Sequence, residues 1–200
     1  MYIFLNNGKN KLKVIYGGIK KYESNRYSWR IDDLGRVVIP KEIRKTLRIR
    51  EGDPLEIFTA KDGEVILKKY SPIGELNEFS QEYAETLAEV LGYGVLITDL
   101  DSIIAVSKLP KKDYKEKSIS DELEAIISER TVKYSKDKNI LPLFKEDQKE
   151  YTSQVIMPII SASGDCIGSI VVVSKDKDTI AESEEKSLKI AANFLGKQVQ

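Results

Sequence analysis

The residues best placed to do chemistry in this chain are cations. From Arg30 to Phe58 it reads RIDDLGRVVIPKEIRKTLRIREGDPLEIF, which spreads Arg30, Arg36, Lys41, Arg44, Lys45, Arg48 and Arg50 through one short stretch. A guanidinium is a planar fork that grips phosphate oxygens or a guanine edge through paired hydrogen bonds. Gly35 stands just before Arg36 and allows a tight turn that pushes the arginine outward. Such a set suits a polyanion, although spacing alone fits equally well the solvated charged face of an ordinary small domain. Other chemistry has little support. The sequence holds no histidine, which removes His-based triads, the commonest general base and most transition-metal sites. The single cysteine, Cys166, precludes an internal disulfide framework and reads as a small buried hydrophobe. Asp99 and Asp101 could bind a hard cation, but turn carboxylates are more often solvated turn formers. Ser163-Gly164-Asp165 is a turn without the pattern of a phosphate loop. No catalytic residue, metal or cofactor is expected, and the chain is not read as an enzyme.

The elements that must position the cations follow from charge and periodicity. Residues 1–70 carry 16 Lys+Arg against 9 Asp+Glu, a net of +7, and residues 71–200 carry 16 against 23, a net of −7. A basic module joined to an acidic one is the expected organisation, with Ser71-Pro72-Ile73-Gly74 as punctuation between them. In the basic part Leu34–Ile39 is β-branched and ends at Pro40, predicting a strand. Lys41–Leu47 predicts a short helix with Ile43 and Leu47 on its apolar face and Arg44, Lys45 and Arg48 projecting elsewhere. Leu55–Thr59 and Glu64–Tyr70 predict a hairpin around Asp62-Gly63. A head of about 45 residues without disulfide or metal rarely folds alone, so it is expected to be an obligate dimer. Behind it, Leu76, Phe79, Tyr83, Leu87, Val90 and Leu91 recur at helical steps, and Gly92 and Gly94 end that run. Strands come next over Val95–Asp99 and Ile103–Val106, then a helix over Ser120–Arg130. Two more strands, Gln154–Ser161 and Cys166–Ser174, precede a final helix near Ile180–Gln198 bearing Leu188, Ala191, Ala192, Leu195 and Val199. The expected class is α+β, with a sensor-type rear domain. No run approaches the roughly 18 apolar residues of a membrane span, so a cytoplasmic protein is expected.

Asp33-Leu34-Gly35-Arg36-Val37-Val38-Ile39-Pro40 resembles, residue for residue, the signature of the AbrB-like swapped-hairpin family of bacterial transition-state regulators. Lys68-Lys69-Tyr70-Ser71-Pro72 and the domain behind it resemble members that add a GAF-type domain. The resemblance runs from Arg30 to about Gln200. It implies an interleaved dimeric β-barrel head, a GAF-like α+β domain behind it and a homotetramer overall. It implies a nucleoid-associated transcription regulator of late, forespore sporulation genes, activating and repressing, that prefers AT-rich double-stranded DNA. The family's DNA-contacting positions fall on Arg30, Arg36, Arg44 and Lys45. A GAF-like domain also leaves open an unknown small-molecule ligand or a purely dimerising role. The implied boundaries are an atypical extension at 1–29, the DNA-binding domain at 30–72, a linker and oligomerisation helix at 73–92, and the GAF-like domain at 93–200.

One departure stands out. The family's first strand opens Met-Lys-Ala-Thr-Gly-Ile-Val-Arg, whereas this chain has Glu23-Ser24-Asn25-Arg26-Tyr27-Ser28-Trp29 there, with Trp29 in place of an arginine. Codons TAT GAA AGC AAC AGG TAT AGT TGG for Tyr22 to Trp29 contain, one base on, ATG AAA GCA ACA GGT ATA GTT, the family's opening. Gly17-Gly18 can be written with GGAGG, a ribosome-binding sequence. Our hypothesis is that residues 1–29 are a frameshifted reading caused by one missing base. Resequencing that finds a clean open frame through Trp29 would end it and leave a divergent extension, in which Trp29 packs against a core or stacks on a base. A second function class is a swapped-hairpin interaction module such as an antitoxin. It is disfavoured because residues 71–200 show the alternating apolar runs of a folded domain.

Overall fold

A computed structural model describes residues 2–5, 12–16, 19–21, 33–46, 49–59, 65–73, 76–148, 151–175, 180 and 182–199. The chain divides into two compact units, residues 1–70 and 71–200. No described helix is long and apolar enough to cross a membrane.

In the first unit one antiparallel sheet runs β3-β2-β1-β5-β4, with β1 Tyr2–Leu5, β2 Leu12–Tyr16, β3 Ile19–Lys21, β4 Leu55–Thr59 and β5 Val65–Lys69. The β4–β5 pair has the expected hairpin register, Leu55 opposite Lys69 through Thr59 opposite Val65. The Asp62-Gly63 turn lies outside the described residues. Three short strands from the first 21 residues continue the sheet, β1 pairing with β5 from Tyr2–Lys68 to Leu5–Val65. Helix α1, Lys41–Thr46, starts directly after Pro40, whose carbonyl accepts from the Arg44 amide at 2.9 Å. Proline suits this spot because its fixed φ pre-forms the first turn. Ile43 is buried and holds the helix down, while Leu47 lies outside the described residues.

The strand expected at Leu34–Ile39 is not formed: Asp33–Gly35 is a turn, Gly35 has φ +75°, and only Val37 makes an isolated bridge. β-branched residues favour strands because they fit a pleated, half-covered surface. Leu34 and Val38 are instead about three-quarters exposed in the single chain, so that surface is missing.

The second unit is the expected α+β sandwich. Its antiparallel sheet runs β7-β6-β10-β9-β8. These are β6 Gly94–Thr98, β7 Ile103–Ser107, β8 Lys133–Lys136, β9 Ser153–Ile160 and β10 Cys166–Ser174. Alternate side chains feed two cores, as a period of two requires. On one face Val95, Ile97, Val155, Ile159, Ile170 and Val172 meet Ala84 and Ala88 of α2, Asn77–Leu91, and Leu188, Ala191, Ala192 and Leu195 of α5, Glu182–Gln198. On the other, Leu96, Ile156, Val171 and Val173 meet Leu123 and Ile127 of α4, Asp121–Glu129, and the segment Ile140–Phe144. A short helix α3, Lys111–Tyr114, lies between β7 and α4 in sequence. Ser120 caps α4, its hydroxyl accepting from the Leu123 amide at 3.0 Å. Val90, counted in the α2 seam, turns outward and is exposed; Ala84 and Ala88 take the buried positions, because small residues let the helix approach the sheet.

Candidate nucleic-acid interface

The head presents its cations around α1. Arg36 is exposed one residue past the Gly35 turn. Lys41 and Lys45 are exposed one turn apart on α1, and Glu42 is the acidic residue of its first turn. Arg44 is half-buried, and its Nε is buried without a hydrogen-bond partner. Ile43, buried beside it, fixes which side of so short a helix faces out. Arg36, Arg44 and Lys45 of the expected set are therefore on display around one helix, while Arg30 lies outside the described residues, as does Arg48. The remaining cations differ. Lys69 pairs with Asp53 at 3.2 Å with both side chains largely covered, and the Arg50 amide donates to the same carboxylate at 2.8 Å. Asp53 thus closes the loop before β4. A bare cation count could not separate Lys69, held by Asp53, from the cations displayed around α1.

The head also exposes apolar side chains that one chain leaves uncovered: Leu34 at 74%, Val38 at 75% and Ile57 at 68%. Phe58 adds a partly exposed ring beside Ile57 on β4.

In the rear unit the carboxylate candidate Asp99 has a structural role. Asp99 Oδ1 accepts from the amides of Asp101 and Ser102 at 2.8 and 2.6 Å, and Oδ2 accepts from the Ser71 hydroxyl at 2.9 Å. It is a turn former. Among the described residues no three His, Cys, Asp or Glu groups gather as metal ligands. Cys166 is half-buried, and burial pushes its thiol above the ordinary cysteine range. Ser161, Ser163 and Asp165 bond one another within the β9–β10 turn. The layer beneath α4 is filled by Ile119, Leu123, Ile127 and Leu143, closed by contact between the Tyr114 and Tyr151 hydroxyls and by Tyr114 edge-on to Phe144.

Periodicity missed one surface. Tyr83 of α2 stacks on Phe194 of α5 at a centroid distance of 5.6 Å, Phe79 meets the same ring tilted at 6.0 Å, and Ile190, one turn before Phe194, is 70% exposed. The signal was present in Ile190 and Phe194, two large apolar residues one turn apart and outside the Leu188–Leu195 seam.

Residues 75–200 match the family described as stage V sporulation protein T C-terminal, transcription factor, and residues 30–75 match antidote-toxin recognition MazE, bacterial antitoxin. Stage V sporulation protein T of Bacillus subtilis (strain 168) is 54% identical over 171 residues, 86% of this chain and 95% of that protein. The transition state regulatory protein AbrB of the same organism is 58% identical over 43 residues, 22% of this chain and 44% of that protein. Among solved structures, the GAF domain of an Acinetobacter phosphoenolpyruvate-protein phosphotransferase covers 60% of this chain and 79% of its own, at TM-score 0.52 and 15% identity. That likeness is one of fold: an AbrB-like head precedes a GAF-like rear unit.

Proposed function

The chain belongs to the stage V sporulation protein T family of transcription factors, and from that premise we propose that its head grips AT-rich double-stranded DNA as part of a homotetramer. The protein is a sporulation transcription regulator with a DNA-binding head. The observation that carries the finer reading is the exposed basic side of α1, held outward by buried Ile43. Arg36, Arg44 and Lys45, with Arg30, are the proposed DNA contacts. The uncovered Leu34, Val38, Ile57 and Phe58 support a head that completes itself on a second copy. The Phe79–Tyr83–Phe194 ridge with exposed Val90 and Ile190 supports pairing of rear units. Two kinds of interface in one chain give a tetramer. The targets we propose are late forespore genes, activated or repressed, in a cytoplasmic protein associated with the nucleoid.

No cofactor forms part of this proposal. The apolar side chains that fill the layer beneath α4 favour a rear unit that assembles subunits over one that senses a small molecule.

Fluorescence anisotropy of the full chain on AT-rich duplex DNA across a salt series tests the proposal. Phosphate contacts release counterions, so log Kobs should fall linearly with log salt. Absence of a salt-dependent, DNA-bound state would sink it. The match of residues 30–75 to an antitoxin family supports a second reading, capture of a protein partner by the head. Against it, residues 71–200 form a unit with two buried cores where a toxin-wrapping tail would be disordered.

A further inference from the structure

We propose that Lys41 is a further phosphate-contacting residue of the head, acting with Lys45 one turn along α1; this rests on the DNA-binding proposal above. The head's described cations are not equivalent. Lys69 is neutralised by Asp53. Lys41 and Lys45 are exposed. Lys41 also breaks two local rules of helix stability. It opens α1, where the positive end of the helix dipole favours acidic residues and opposes a cation. It stands four residues before Lys45, a spacing that brings like charges to within about 5–6 Å at Cβ and makes them repel. Glu42 of the same turn eases the first penalty, while among the described contacts no ion pair of Lys41 or Lys45 eases the second. Local rules broken without local compensation mark places where function sets the residue.

An anion between the two ammonium groups removes both penalties at once. The chemistry that answers both ammonium groups is a run of phosphate oxygens, which the backbone of a DNA strand supplies. Lys41 would then position the head and carry no sequence information.

The test uses the full chain, with anisotropy on one AT-rich and one GC-rich duplex across a salt series. Wild type is compared with Lys41→Gln, Lys45→Gln and Lys112→Gln, the last removing the same charge from an exposed site on α3. Lys41→Gln should weaken binding by a similar factor on both duplexes. It should also reduce the steepness of log Kobs against log salt by about 0.9 for each phosphate it no longer neutralises. Lys112→Gln should match wild type. The Tm of Lys41→Gln should hold or rise, since repulsion is relieved; a fall in Tm accompanying weaker binding would assign Lys41 a structural role and overturn the proposal. A wild-type slope in Lys41→Gln, with Lys45→Gln reduced, would overturn Lys41 alone. Failure of wild type to bind either duplex would overturn the DNA-binding proposal itself.

Discussion

Ile43 and Arg44 are neighbours on α1, the first buried and the second half-buried, and the difference separates fold from contact. Ile43→Asp would bury a carboxylate without a partner, at a cost of several kcal/mol, which a small head cannot absorb. The expected outcome is loss of head folding and DNA binding together, read by circular dichroism and anisotropy. Arg44→Ala and Arg36→Ala should keep the fold while each lowers affinity by roughly 1–3 kcal/mol; unfolding in both variants would contradict their surface placement. Burial raises the Cys166 thiol, so the folded chain keeps that proton to a higher pH than the unfolded chain does. The stabilisation is therefore present below the ordinary cysteine range and fades as pH climbs through the raised value. Alkylation of Cys166 at neutral pH should be slower in the native protein than in urea, tracked by mass spectrometry; equal rates would show the thiol is open. At this scale the sequence was informative where type and neighbours decide the outcome, as for exposed Lys45 or turn-forming Asp99. It was silent on Asp53 and Lys69, which meet only through the β4–β5 pairing.

Elements were legible where periodicity was long. α2, α5, β9 and β10 carry enough repeats to show a face, and β10 ends where its β-branched run ends. β8 and α3 were missed because Lys133–Lys136 and Lys111–Tyr114 are short, charged and without apolar spacing. β8 is held by its pairing with β9, from Lys133 opposite Ile156 to Lys136 opposite Ser153, and α3 by the Lys111–Glu85 ion pair at 3.0 Å and by Tyr114 against Phe144. Beside β8, Gln154 brackets the backbone of Leu141, accepting from its N–H at 3.0 Å and donating to its C=O at 3.1 Å. Gln81 treats edge strand β7 similarly, its amide meeting the Val106 carbonyl at 2.9 Å and the Val106 N–H at 3.2 Å. That side chain occupies backbone groups an edge strand would otherwise offer to another chain. The docking of α5 depends on a missing methyl. A Cβ on Gly196 would lie 1.9 Å from the Ile160 carbonyl oxygen, backbone against backbone. Gly196→Ala normally favours a helix, yet here it must push α5 off β9. A Tm several degrees lower is expected despite the gain in helix propensity, with weakened self-association in sedimentation because Phe194 shares that helix; an unchanged Tm would mean α5 can slide without loss.

At the scale of the whole molecule, the change from basic to acidic charge falls at the Ser71-Pro72 punctuation, and the chain divides between Tyr70 and Ser71. The two-core rear unit was legible as α+β. The surface that completes the head was not, because a strand whose partner lies on another chain cannot be placed by one chain's periodicity. The junction itself is short. The Tyr70 amide donates to the Pro54 carbonyl at 3.0 Å within the first unit, and the next residue, Ser71, donates to Asp99 at 2.9 Å within the second. Two residues later Ile73 is fully buried in the rear core. The anchors of the two units thus fall on consecutive residues. In an assembly holding two heads, slack controls the effective concentration of the second head once the first is bound. Inserting Gly-Gly-Ser-Gly-Gly-Ser between Tyr70 and Ser71 adds a coil with a reach of about 13 Å. The wild-type chain should bind best to duplexes whose two half-sites have one particular spacing. The insertion should lower that best affinity while flattening its dependence on spacing, read by anisotropy on a series of duplexes. A profile that keeps its peak would show that the heads are held in register by something other than this junction. A flat profile in the wild type would mean each head binds on its own, and the tetramer would then add copies without adding selectivity.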